Sequence, residues 1–201
     1  FRWSQAEVAR SEWGDRPNFF TSGDSYFTKA CWDVPYDDWN GDPGNRNNTT
    51  YPDNVFLIRE YGDYEFGGGN STTRQLRGAG EQKLLQQAWN LQWEHNKNRK
   101  YVPRAIGDLT WAFYDGLAGA VVGIEGWGVA DLFRIPKYSY YFFKSQQPVR
   151  INSQLPFASG PMAHIASNWN AKSNPCKLIV YSNCDEVELL INGKRIAQQR
   201  P

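Results

Sequence analysis

Val55-Phe56-Leu57-Ile58-Arg59-Glu60-Tyr61-Gly62-Asp63 is the stretch whose reading decides the fold. Its four consecutive apolar residues follow Pro52-Asp53-Asn54 and leave no polar face for water. That is the pattern of a strand buried on both sides, as in a parallel sheet. The run breaks off at Arg59-Glu60, so a carboxylate stands at the strand's C-terminal end. Parallel strands are joined by crossovers, usually helical, and the sequence downstream offers one. A turn at Gly67-Gly68-Gly69-Asn70 leads to Ser71 and Thr72, either of which can cap a helix. From Thr73 to about Asn96, Leu76, Ala79, Leu84, Ala88 and Leu91 fall near i, i+3, i+4 spacings, which predicts a helix. Gly107 to Tyr114, with Leu109, Trp111 and Phe113, gives a second buried strand, and it too ends in an acid, Asp115.

Working outward, Pro17 to Ser22 and Lys29 to Tyr36 read as further strands, and Asp37 to Asp53 as a long polar loop. Loops of that length in a compact domain often carry function; a surface insertion is the alternative. Tyr138 to Ser145 is a dense aromatic stretch after Ile135-Pro136 and suits a short helix with proline near its start. Near Pro148 the texture becomes all-β. Lys177 to Ser182 and Val187 to Asn192 look like strands, Asn192-Gly193 is a hairpin-turn signal, and Lys194 to Ala197 forms the return strand. The rhythm before residue 148 is that of βα units. A closed (β/α)8 barrel takes about 250 residues, so residues 1–147 hold at most half of one.

Composition narrows the class. Hydrophobic residues make up 40% of the 201 and charged residues 21%, as in a globular chain with a core. With Lys+Arg 22 against Asp+Glu 21, the net charge of +1 argues against an electrostatic grip on nucleic acid or an anionic membrane. No apolar run reaches membrane-spanning length. Three cysteines, Cys31, Cys176 and Cys184, without a CxxC spacing, and only two histidines, His95 and His164, speak against a zinc site. Cys176 and Cys184 can pair or remain buried thiols. The chain begins at Phe1 and its single methionine is Met162, so it reads as part of a longer or processed polypeptide. Nine Trp, eleven Tyr and eleven Phe are unusual. Packing explains many of them, but Trp and Tyr also form flat platforms for sugar rings while nearby amides and carboxylates bind the hydroxyls.

Where carboxylates stand at the C-terminal ends of parallel barrel strands, they can attack an anomeric carbon or stabilise an oxocarbenium ion; an Arg59-Glu60 ion pair closing the strand is the alternative. At this point the residues resemble a family. Ile58-Arg59-Glu60-Tyr61-Gly62-Asp63 resembles the strand-7 signature of glycoside hydrolase family 2, the beta-galactosidase-like enzymes. Arg16-Pro17 with Phe19 to Gly23 resembles the family's strand 5, and Trp32-Asp33-Val34-Pro35-Tyr36 its strand 6. Gly107 to Asp115 resembles strand 8, and Gly128-Val129-Ala130-Asp131 with Arg134-Ile135-Pro136-Lys137 the segment after it. Val180 to Lys194 resembles the immunoglobulin-like domain that follows the barrel. These pieces cover most of the chain in the family's order.

The resemblance implies an α/β fold, a partial (β/α)8 TIM barrel of about strands 5–8 over residues 1–147, followed by the start of an immunoglobulin-like β-sandwich over 148–201. It implies a retaining glycosidase acting on terminal sugars of oligo- or polysaccharides, with no cofactor and no metal. Glu60 is then the nucleophile. Tyr36 hydrogen-bonds it or helps the intermediate leave, Asp63 contacts a sugar hydroxyl, Trp111 floors the sugar pocket and Asp115 supports its rim. For Trp111 the alternative is a core tryptophan, and for Tyr36 and Asp115 ordinary loop polar groups. The family's acid/base, a Glu usually preceded by Asn on strand 4, has no clear counterpart: there is no Asn-Glu pair, and Glu7 lies only eight residues before Arg16. The acid is either Glu7 or a residue upstream of this chain. The competing readings are a non-catalytic carbohydrate-binding fragment and a purely structural one with open strand edges. The rest of a parent polypeptide or an oligomer is a conceivable partner, and the substrate class suggests a secreted or periplasmic setting.

Overall fold

Residues 11–12, 36–38, 56–62, 71–101, 103, 105–117, 123–151, 157–173 and 177–200 are described by a computed structural model. It is a mixed helix and sheet structure that divides into two compact units, residues 1–74 with 90–113, and residues 75–89 with 114–201.

In the first unit, strands β1 (Tyr36–Asp38), β2 (Phe56–Tyr61) and β3 (Ala105–Thr110) lie side by side in chain order, and both pairings are parallel. The apolar run at 55–58 thus does what its composition demands: β2 is the central strand, with Ile58 and Tyr61 buried. Gly107 sits level with Leu57, and a Cβ there would meet the Leu57 side chain at 3.1 Å. The register slips between Arg59 and Tyr61, which pair with Leu109 and Thr110 respectively, so Glu60 is the extra residue of a β-bulge. The strand expected at Gly107–Tyr114 lies two residues earlier and ends at Thr110; Tyr114 instead bridges to Ala130. The strand expected at 17–22 and nearly all of that at 29–36 fall outside the described residues.

The crossover helix α1 runs Glu81–Asn98 and starts eight residues later than its apolar spacing predicts. Two glycines explain the delay. Residues Arg77–Ala79 make a single 3-10 turn, and Gly80, at φ 92, closes it in a conformation that side chains rarely take. Ser71 caps a local turn instead of the helix, its hydroxyl accepting the Thr73 N–H at 3.1 Å. Residues Glu81–Trp89 of α1 belong to the second unit and Asn90–Asn98 to the first.

The second unit gathers Leu84 and Ala88 of α1, Tyr138 and Phe142 of helix α2 (Tyr138–Ser145), Ala166 and Tyr181 into one apolar core. Helix α2 spans the stretch expected, but Lys137 is its N-cap, which puts Pro136 just outside rather than in the first turn. A short ribbon pairs β4 (Gly116–Leu117) with β5 (Ile124–Glu125). Two antiparallel pairs follow, β6 (Ala163–Ile165) with β7 (Val180–Ser182), and β8 (Val187–Ile191) with β9 (Lys194–Gln199). The turn between β8 and β9 has Asn192 at φ 50 and Gly193 at φ 76. Positive φ at both central positions is the type I′ geometry that Asn-Gly favours. Cys184 is a free, half-buried thiol. Among the described residues no helix is long and apolar enough to cross a membrane.

Two glycines separate conformation from crowding. Gly62 has φ 87, and its missing Cβ would overlap the Leu91 side chain; Gly80 has φ 92 with open space around it. Gly80→Ala should cost about 1–2 kcal/mol through the backbone alone. Gly62→Ala carries the same cost plus overpacking of roughly 1–3 kcal/mol. Calorimetric melting of the full-length protein should rank Gly62→Ala clearly below Gly80→Ala.

Candidate active site

The C-terminal ends of β2 and β3 are stitched together by one carbonyl. Tyr61 C=O accepts the Trp111 N–H at 3.3 Å and the Thr110 hydroxyl at 3.1 Å. Glu60 therefore stands on the backbone next to a fixed point of the sheet, and Trp111 follows directly at the same end of the neighbouring strand, 41% exposed. The opposite face of β3 is tied to α1: His95 Nδ1 lies 2.9 Å from Asp108 Oδ2, and the Asn98 amide donates to the same oxygen at 3.1 Å. Leu109 alternates with Asp108 and is half exposed on the other face. Tyr36 is level with Leu57, three residues before Glu60 or about 10 Å back along the sheet; β1 reaches the level of Arg59 only at Asp38. Asp63 and Glu7 fall outside the described residues.

The segment after β3, in the second unit, is organised around buried charge. Asp115 and Lys137 have side chains 2% and 0% exposed, with Lys137 Nζ 2.6 Å from Asp115 Oδ1. The ammonium also donates to the carbonyls of Gln75 at 2.7 Å and Gly126 at 3.1 Å, while Asp115 Oδ1 accepts the Gly128 N–H at 2.9 Å. Burial pushes the Asp115 carboxyl up and the Lys137 amine down, outweighing their mutual attraction. Gln87, fully buried on α1, donates to the carbonyls of Gly126 and Gly128 and accepts from Ser139. Neither glycine has room for a Cβ, because Gly126 lies on the Gln75–Leu76 backbone and Gly128 on that of Tyr114–Asp115.

A second anchor follows. Asp131 accepts the N–H groups of Phe133 and Ile135 on one oxygen and the Arg77 guanidinium on the other. Arg77 reaches the carbonyls of Ile135 and Pro136 as well. Burial alone would raise the Asp131 carboxyl, but Arg77 and the two N–H donors more than offset it and hold it below the usual carboxylate range. Sequence reasoning singled out Asp131 and Lys137 only as motif letters and missed Arg77 and Gln87. A lone Arg in a polar turn and a Gln inside a helical repeat carry no local signal; their partners lie 54 and 39 residues away. Among the described residues no three His, Cys, Asp or Glu side chains group to hold a metal ion.

Comparison with known proteins bears on this arrangement. Residues 174–201 match a family model described as "Domain of unknown function (DUF4982)". A beta-galactosidase from Thermoanaerobacter pseudethanolicus is 36% identical over 107 residues, half of this chain but 14% of that enzyme. In three dimensions the chain is similar over 99% of its length to the Parabacteroides merdae beta-glucuronidase solved with glycerol in its active site. The TM-score is 0.65 and the identity 21%, a likeness of fold, and it covers 27% of that structure. These likenesses fit the C-terminal region of glycoside hydrolase family 2. The chain spans a small part of the length of the relatives it matches.

The buried pair gives a sharp expectation. Lys137→Met leaves Asp115 buried and unpaired, and should cost about 3–5 kcal/mol. Lys137→Met with Asp115→Asn should cost much less than the sum of the two single changes, because no lone charge remains. Thermal denaturation of the full-length protein reads both. Asp131 sets a pH expectation. Its folded-state value is depressed, so its contribution is complete above the ordinary carboxylate range and is lost as the pH falls through the lower folded value. Asp131→Asn should therefore lower melting temperature at pH 7 and flatten its fall between about pH 5 and pH 3.

Proposed function

We propose that the chain is the nucleophile-bearing part of a retaining glycosidase that removes terminal sugars from oligo- or polysaccharides. In this reading residues 1–147 are about strands 5–8 of a (β/α)8 barrel, β1, β2 and β3 being the sixth to eighth, and residues 148–201 begin an immunoglobulin-like sandwich. One observation carries it. Glu60 is the bulged residue at the C-terminal end of the central parallel strand, and Trp111 stands at the same end of the next. Barrel enzymes place their chemistry at that end, and bulges are over-represented next to active sites. The relative named beta-galactosidase and the solved beta-glucuronidase both support a glycosidase.

The chemistry follows from the residue types. The Glu60 carboxylate attacks the anomeric carbon as the glycosidic C–O bond breaks, and a second carboxyl protonates the departing oxygen. Water, deprotonated by that second group, then displaces Glu60 from the glycosyl ester. The two carboxyls stand about 5–5.5 Å apart in retaining enzymes, and the acid is Glu7 or a residue beyond this chain. Trp111 floors the sugar ring and Asp63 binds a hydroxyl beside the nucleophile. Asp115 supports the rim, and Tyr36 serves the nucleophile from the adjacent strand. Substrates of this class suggest a secreted or periplasmic enzyme.

In the full-length protein, Glu60→Gln should lower kcat on a p-nitrophenyl β-glycoside at least about 100-fold, roughly 2.7 kcal/mol of barrel-mouth stabilisation, with melting temperature unchanged. A loss below about tenfold, or a 2-deoxy-2-fluoroglycoside label found on a peptide without Glu60, would rule out the assignment.

A further inference from the structure

The loop between β6 and β7 uses a buried carboxylate to hold an indole in water. Glu81, the first residue of α1, is 9% exposed. Its Oε2 accepts the Asn168 N–H, the Ser167 hydroxyl at 3.2 Å and the Ser173 hydroxyl at 2.7 Å. Bonds to an ionised acceptor are the stronger kind, so both shoulders of the loop are pinned to one point. The Tyr138 hydroxyl donates to Asn168 Oδ1 at 2.8 Å, and inside the loop Asn170 N–H meets Ser173 Oγ at 3.1 Å. At the apex Trp169 has φ 50, a conformation bulky residues rarely take, with its N–H on Ser167 Oγ at 3.0 Å. Its ring is nevertheless 67% exposed.

Its exposed neighbours along the loop are Asn168, Asn170, Ala171 and Lys172. Protein-binding centres are depleted in lysine and rich in contiguous apolar surface, and this site has the opposite make-up. An exposed indole on a loop that also carries amide and ammonium donors suits a sugar ring, whose C–H face would cover the indole while its hydroxyls meet donors of the loop. A loop whose backbone is already pinned loses little freedom on binding. We propose that Trp169, with Asn168, Asn170 and Lys172, is a second saccharide-binding point, built from residues other than the proposed catalytic set, that grips a neutral stretch of a polymeric substrate. The proposal rests on reading the chain as part of a polysaccharide-cleaving glycosidase.

The test uses the full-length protein, p-nitrophenyl β-galactoside and β-glucuronide as small substrates, and β-1,4-galactan, arabinogalactan and xyloglucan as polymers. Trp169→Ala should lower kcat/KM at least fivefold on the polymer the unsubstituted enzyme cleaves, while the small glycoside stays within twofold; Trp169→Tyr should keep at least half of the polymer rate. An unchanged polymer rate in Trp169→Ala overturns the site. So does a parallel fall on both substrates with a lower melting temperature, which marks packing against protein. Cleavage of a small glycoside with no polymer cleaved also overturns it. If the unsubstituted protein cleaves neither small glycoside, the glycosidase reading itself falls and the second site with it.

Discussion

An ammonium removed from water must find acceptors on every side, and Lys137 finds them at places far apart in the chain. Its three donors reach Gln75, Asp115 and Gly126, which lie 62, 22 and 11 residues away. Taking two ions out of water costs several kcal/mol each, so the pair contributes little net stability. What it contributes is geometry: the bonds that satisfy both charges fix Gln75, Asp115, Gly126 and Gly128 around one point. The glycines follow from it, since backbones drawn together around one Nζ leave Gly126 and Gly128 no room for a side chain. Asp131 repeats the device a few residues on, with Arg77 as the cation and two backbone N–H groups as further donors.

Helix α1 supplies the complementary surface. Its buried positions include Glu81, Gln87, Asn90, Glu94 and Asn98 as well as Leu84, Ala88 and Leu91. A helix that buries amides instead of a purely aliphatic stripe holds irregular backbone, because loops brought close to a core present N–H and C=O groups that need partners. In the second unit Gln87 serves the carbonyls at 126 and 128, and Glu81 the loop at 167–173. In the first, Asn90 donates to the hydroxyls of Thr72 and Thr73. Glu81, Gln87 and Asn90 thus each fix a connection that a hydrophobic contact could not orient.

This division of labour explains what the sequence disclosed. The central strand, the short helix at Tyr138–Ser145 and the Asn-Gly hairpin were legible because each depends on residues within a few positions of one another. The start of α1 was not, because apolar spacing extends back to Leu76 while Gly78 and Gly80 cut the helix there. Asp115 was legible as an acid after a strand, but its buried partner was not. The sequence places Lys137 22 residues away, and only the fold brings it within 2.6 Å. Gln87 and Arg77 left no trace at all, since long-range hydrogen bonds impose no periodicity.

The end of β2 shows how a site can be placed on a rigid strand without breaking the core beneath it. Ile58 is 5% exposed, and in a regular strand Glu60 would share its face, where an unpaired carboxylate among apolar neighbours is costly. The backbone register breaks at Glu60 itself. By inserting one residue the bulge resets the alternation, so Tyr61 comes level with Thr110 and is buried at 2% exposure. Ile58 and Tyr61 are thus both buried across the bulge, and Tyr61 C=O ties the strand end to Thr110 and Trp111. Gly62 completes the turn at positive φ against Leu91, where any other residue would push the strand off the helix. The apolar sequence that makes β2 a central strand and the polar one that ends it are reconciled by a single irregularity, located at the residue on which the proposed chemistry depends.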